Sequence, residues 1–140
     1  MAIPRTDTQH SALHITGQQT RTLVAFQVLA VFSVLSLAFQ FVTAGELVAH
    51  RGASTDVHGA GAIILHVITG LTAIAAGLHW RARRTHRWPM AVAALVFVFS
   101  FIQAAIGDLG VMWAHVPGAL VLTVGAVWVA AWSFSRGARV

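Results

Sequence analysis

The sequence predicts an all-α protein, a four-transmembrane-helix up-down-up-down bundle built from a duplicated helical hairpin. Three observations predict it. Of 140 residues, 57% are hydrophobic and only 9% are charged, whereas soluble domains carry about 25% charged residues. Four apolar runs have the length that spans a hydrocarbon core of roughly 30 Å at about 1.5 Å per residue. The second and fourth runs also open on the same short motif.

Residues 1–21 are polar, with two histidines and no hydrophobic period, and read as a loose cytoplasmic tail. The transmembrane domain follows over 22–135, with helices expected near 22–49, 57–80, 90–107 and 112–134. The first is broken only by Gln27, Gln40, small hydroxyls and Glu46. Val42-Thr43-Ala44 loosely resembles a signal-peptide cleavage site, but the run is longer than the roughly 7–15 residues of a signal core, which favours an anchor. Ser54, Thr55 or Asp56 are candidate caps for the second helix. A basic link, Arg81 to Pro89, precedes the third helix, where Pro89 suits a first turn. Asp108-Leu109-Gly110 turns the chain into the fourth, and 136–140 is a short basic end.

Net charge is +5, and all nine basic residues are arginines. They flank apolar runs and form no stripe with interleaved aromatics, which argues against nucleic acid. Arg5, Arg21, Arg81, Arg83, Arg84, Arg87, Arg136 and Arg139 fall on one side of the expected topology and only Arg51 on the other. Cytoplasmic loops collect arginine, so the expectation is a multi-pass cell-membrane protein with both ends inside. Trp80, Trp88 and Trp132 then sit at the inner interface and Trp113 at the outer one.

With no cysteine, disulfides, thiolate metal sites and covalently attached haem are excluded, so any cofactor is held by histidine, carboxylate or packing. The internal repeat picks out two of the eight histidines. His58 is followed by Gly61-Ala62 and then two aliphatics and Leu65; His115 is followed by Gly118-Ala119, two aliphatics and Leu122. The preceding helices match too, with Gln40 ahead of Gly45-Glu46-Leu47 and Gln103 ahead of Gly107-Asp108-Leu109.

Parallel repeats are related by an axis along the membrane normal, which makes helices two and four diagonal partners and brings His58 and His115 to one depth. Two facing imidazoles supply both axial ligands of one haem iron. Gly61 and Gly118 leave room for something flat. Gln40, Gln103, Asp56, Asp108 or backbone carbonyls are candidate acceptors for the second nitrogen of each ring. The plain alternative is a pair of interfacial histidines bonded to loop carbonyls.

His66 lies about 12 Å deeper than His58 and is turned by some 80°. Its repeat counterpart is Thr123, so a structural or supporting role at the cofactor is favoured over ligation. His79, His86, His10 and His14 read as surface histidines. Glu46 and His50 share a helix face and read as a solvated helix end or a proton-handling pair. Gln27 reads as an interhelical hydrogen bond.

Over about residues 23–134 the chain resembles one half of a haem A synthase. The likeness lies in His58 with its following Gly and Ala, in Gln103 ahead of Gly107, and in Trp113-Ala114-His115-Val116-Pro117-Gly118-Ala119. It also resembles small four-helix membrane proteins of actinobacteria that carry Gln-x-x-x-Ala-Gly in helix one, here Gln40-Phe41-Val42-Thr43-Ala44-Gly45. The resemblance implies the bundle and one bis-histidine haem b. It does not extend to synthase activity, because a second half, an outer-loop cysteine pair and a clear catalytic glutamate ahead of His58 are missing from the sequence.

The leading expectation is therefore a b-type cytochrome-like protein, one haem near the outer leaflet, exchanging electrons or sensing redox state or haem. Its expected partners are the lipid bilayer and a quinone or membrane redox protein, with self-association left open. The competing expectations are an accessory subunit that packs the small residues Gly70, Ala73, Gly77 and Gly125 against another membrane protein, and a proton-moving enzyme or transporter component using Glu46, His50 and His66.

Overall fold

A computed structural model describes residues 6–49, 55–84 and 86–139. Its elements are α1 (Thr6–Val48), α2 (Thr55–Arg83), α3 (Trp88–Asp108), α4 (Met112–Ser133) and a closing 3-10 turn (Arg136–Ala138), with no strand among the described residues. All four α-helices are long and apolar enough to cross a membrane. Within hydrocarbon a helix satisfies its own backbone, which is why irregular chain is confined to the short connections.

α1 departs from expectation. The polar stretch forecast as a loose tail is helical from Thr6 onward and continuous with the membrane-spanning part. Nucleation is the costly step in helix formation, and an anchored helix extends its N-terminus residue by residue without repeating it. The remaining boundaries follow the local chemistry. Pro89 stands in the first turn of α3, where its missing N–H costs no hydrogen bond. Gly110 takes a positive φ of 71° between α3 and α4, a conformation with little steric penalty only for glycine.

Neighbouring helices pack in the order α1–α2–α3–α4 and back to α1. Contacts fix their directions. Gln40 meets His58 and Ser33 meets Thr72, so α1 and α2 are antiparallel. His66 meets Ser100 across α2–α3, and His115 meets Gln103 across α3–α4. The result is the up-down-up-down square, with α2 and α4 on one diagonal.

The interior is filled by small and mid-sized residues in two layers. Phe26, Ala30, Ala75, Ala76, Ala93 and Val129 form one; Leu37, Leu65, Val96, Leu122 and Ala126 form the other. Larger side chains such as Ile63, Leu95, Val98 and Leu120 point outward, as expected where the surrounding solvent is lipid. Small residues let the backbones approach. A Cβ at Gly70 would come within 3.0 Å of the Phe97 ring, and one at Gly125 within 2.9 Å of Val96. The glycines expected to serve an external partner are therefore used inside the bundle, where α3 fills them.

Polar interior groups bond locally. Thr69, Thr72 and Thr123 donate to carbonyls one turn back along their own helices, and with the Thr72 proton so placed Ser33 donates to Thr72 Oγ1 across α1–α2 at 2.9 Å. At the arginine-bearing end, side chains reach the free carbonyls that close α4. Gln27 donates to the Ser133 carbonyl at 2.9 Å, as the sequence led us to expect, and Arg83 donates to that of Arg139.

His79, expected at the surface, is instead 1% exposed. Its Nε2–H donates to the Ala138 carbonyl at 2.9 Å, and its ring stacks on Phe26 with centroids 5.9 Å apart. Residue 79 continues the buried stripe of Leu65, Thr69, Thr72 and Ala76, and that spacing outweighs its place near the helix end. Trp88, Trp128 and Trp132 cluster nearby, with centroids 4.8 and 5.6 Å from Trp88, and Arg87 lies over Trp80 at 5.2 Å.

Phe26 tests the packing. In lipid, the transfer contribution of an apolar side chain nearly vanishes and the cavity contribution remains, about 24 cal/mol per Å³ over roughly 100 Å³. Phe26→Ala is expected to destabilise the bundle by about 2 kcal/mol, measured by unfolding in mixed detergent micelles. Phe32→Ala, at an exposed position on the same helix, should lie within about 0.5 kcal/mol of the parent.

Candidate functional site

The candidate site lies at the end of the bundle where α2 and α4 begin. His58 is the fourth residue of α2 and His115 the fourth of α4. Both are half-buried. The helix register thus sets the two rings at matched positions on diagonal helices.

Hydrogen bonding fixes the tautomer of each. His115 Nδ1 lies 2.9 Å from the backbone carbonyl of Gln103. A carbonyl only accepts, so Nδ1 carries the proton and neutral His115 keeps its lone pair on Nε2. His58 Nδ1 lies 2.8 Å from the Thr43 hydroxyl, which also lies 3.1 Å from the Gln40 carbonyl; with the hydroxyl proton on that carbonyl, Nδ1–H donates to Thr43 Oγ1 and Nε2 is again the lone pair. Each imidazole is therefore referred to the carbonyl of the repeat-equivalent glutamine, directly in the second hairpin and through a hydroxyl in the first. Such a bond at one nitrogen orients the ring and raises the basicity of the other, the arrangement that ligand histidines require.

The glutamine side chains have a separate task. Gln40 Nε2 donates to the His58 carbonyl at 3.2 Å and sits 3.0 Å from where a Cβ of Gly61 would be. Gln103 Nε2 occupies the corresponding point at Gly118. The room beside these glycines, expected to receive something flat, holds the carboxamide of the neighbouring helix in both hairpins. Both carboxamide oxygens are buried without a hydrogen-bond partner, so the repeat presents two acceptors that the protein itself does not satisfy. Gly107 has a comparable role for His115, because a Cβ there would come within 2.9 Å of the ring.

The structure groups Gln40 and Gly61 with His58 in the first hairpin and Gln103 and Gly118 with His115 in the second, and leaves His66 apart from both. His66 contacts Ser100 and Phe101 on the α2–α3 side. Asp56 and Asp108, considered as acceptors, are exposed, and the acceptors are Thr43 and the Gln103 backbone. His86 is exposed as expected. His50, and with it the proposed pairing with Glu46, lies outside the described residues. Thr43 was missed by sequence reasoning, although its spacing three residues after Gln40 puts it on the same face of α1.

Among the described residues no three or more His, Cys, Asp or Glu side chains converge. Two imidazoles alone do not complete a tetrahedral zinc site, but they do complete the axial pair of a metal already held by a macrocycle.

The glutamine–glycine packing is open to a double-mutant test. Gly118→Ala forces Gln103 out of its place and is expected to cost about 1–3 kcal/mol. Gln103→Ala in the same chain removes the clash and should restore more than half of that loss, measured as a coupling energy in a double-mutant cycle.

No known family model, curated protein or solved structure matches this chain.

Proposed function

We propose that the protein is an integral membrane, b-type cytochrome-like haem carrier that holds one haem b through Nε2 of His58 and Nε2 of His115. The observation that carries this reading is the matched orientation of the two rings: each turns Nδ1 to an oxygen and leaves Nε2 for a ligand. An interfacial histidine needs one satisfied nitrogen, but nothing requires two of them, at equal helix positions, to keep the same nitrogen free. The donor set fits a haem, which brings four nitrogens of its own and asks two more of the protein.

A haem bound in this way supplies one-electron exchange. Held by His58 and His115, such a haem would serve electron transfer or redox sensing in preference to oxygen chemistry. The chain's residues orient the ligands: Gln103 and the Thr43–Gln40 relay hold the two rings, and Gly107 gives His115 room. The placement of arginines supports a cell-membrane orientation with both termini inside and the histidine pair near the outer leaflet. A haem on one side of the bilayer needs a membrane-soluble carrier or a redox protein as partner. The accessory-subunit alternative loses its main support, since α3 already fills Gly70 and Gly125.

The protein, expressed with haem supplementation and purified in detergent, is expected to show a Soret band with sharp reduced α and β bands. His58→Ala and His115→Ala should each abolish them, whereas His66→Ala and His86→Ala should not. A colourless wild-type protein would sink the proposal, and bleaching by His66→Ala alone would sink the choice of ligands. Thr43→Val breaks the relay behind His58 while keeping the ring. It is expected to weaken haem binding by roughly ten- to a hundredfold and to shift the reduction potential, read by haem transfer to apomyoglobin and by redox titration.

A further inference from the structure

The α2–α3 groove holds a polar group that the histidine pair does not use. His66 Nδ1 lies 2.8 Å from Ser100 Oγ, and that hydroxyl lies 2.6 Å from the Phe97 carbonyl, to which it donates. The single hydroxyl proton is thereby committed, so His66 Nδ1–H donates to Ser100 Oγ and Nε2 is an acceptor. The ring is held by more than this bond. It stacks on Phe101 with centroids 4.0 Å apart and planes inclined by 13°; Phe101 in turn meets Phe97 edge-on at 5.1 Å.

The site lies deep in the bilayer and on its lipid side. His66 is about 16 Å along α2 from Thr55, and Ser100 is about 12 Å from the end of α3 at Asp108. His66 is half-exposed, and around it Ile63, Val67 and Phe101 are 65%, 57% and 48% exposed. A partly exposed imidazole among these exposed apolar side chains has neither water nor lipid tails to bond its second nitrogen, and an ionisable group in that setting marks a site.

We infer that the His66–Ser100–Phe101 groove binds the hydroxyl of a lipid-soluble hydroquinone. Three features select this class. Only a membrane-soluble molecule reaches the depth, only a donor suits the fixed tautomer, and the exposed Phe101 and aliphatic walls suit a flat ring with an apolar tail. A quinone carbonyl, itself an acceptor, is disfavoured by the same tautomer, so the groove prefers the reduced form. A second copy of this chain presenting its own His66 would set two acceptors against each other. The inference stands on the α2–α3 geometry alone and is independent of haem at His58 and His115.

The test uses the full chain in lipid nanodiscs prepared without added haem, under reducing, anaerobic conditions. Decyl-hydroquinone and its dimethyl ether, which has the same ring and tail but no donor, are compared by saturation binding and by shift in thermal midpoint. Wild type is expected to bind the hydroquinone about fivefold more tightly than the ether. His66→Phe should abolish that preference and His58→Ala should leave it intact. Equal binding of the two probes to wild type, or an undiminished preference in His66→Phe, overturns the inference. So does cross-linking of Val67→Cys chains to one another that hydroquinone leaves unchanged, which assigns the face to a second copy. Because the two probes are compared on wild type, the outcome does not depend on any variant folding.

Discussion

In hydrocarbon no polar group can fall back on water, and this constraint organises the whole bundle. Backbone groups are satisfied within helices, and the interior hydroxyls of Thr69, Thr72 and Thr123 donate to carbonyls on their own helices. Where a helix ends and its carbonyls lose their partners, other helices supply donors, as Gln27, His79 and Arg83 do around the close of α4. Association of the helices then rests on close packing, since lipid tails are as apolar as the interior. The distribution of small residues inside and large aliphatics outside follows from that.

The same constraint gives the few exceptions their meaning. Among the described residues, the buried polar side-chain atoms that lack partners are the carboxamide oxygens of Gln40 and Gln103, Nδ1 of His79 and Nε of Arg83. The first two are a repeat-matched pair at the histidine end. The last two lie one turn apart on α2, an acceptor and a donor, at the basic end. Their complementary types suit a shared water between them, whereas two acceptors at the opposite end ask for donors from elsewhere. Among the described residues the unsatisfied groups are thus sorted by end, with two acceptors at the histidine end and a donor and an acceptor at the basic end.

Much of the fold was legible because transmembrane length and composition are properties of a linear string. Three of the four helices begin and end within a few residues of where apolar runs, Pro89 and Gly110 placed them. The exception, the extension of α1 to Thr6, depends on propagation from an anchored helix and carries no hydrophobic period to read. The equal register of His58 and His115 was also visible, because a repeat preserves register. What the sequence did not reveal were relations between helices. The role of Thr43 needs the hydroxyl to face α2; the burial of His79 needs the chain end to fold back over it. The guests of Gly61 and Gly118 are glutamines on other helices, and a glycine in a sequence shows that space is needed without naming what fills it.

One difference between the two hairpins bears on how such a duplication diverges. In the second, His115 is braced against main chain, which only a shift of α3 itself can move. In the first, a rotatable hydroxyl stands between His58 and the equivalent main-chain oxygen. A single side chain therefore governs the stiffness and electron density of one imidazole without touching its twin. Once ancestral symmetry is broken at that position, the halves are free to be tuned separately, and a two-fold scaffold acquires a soft side and a rigid side.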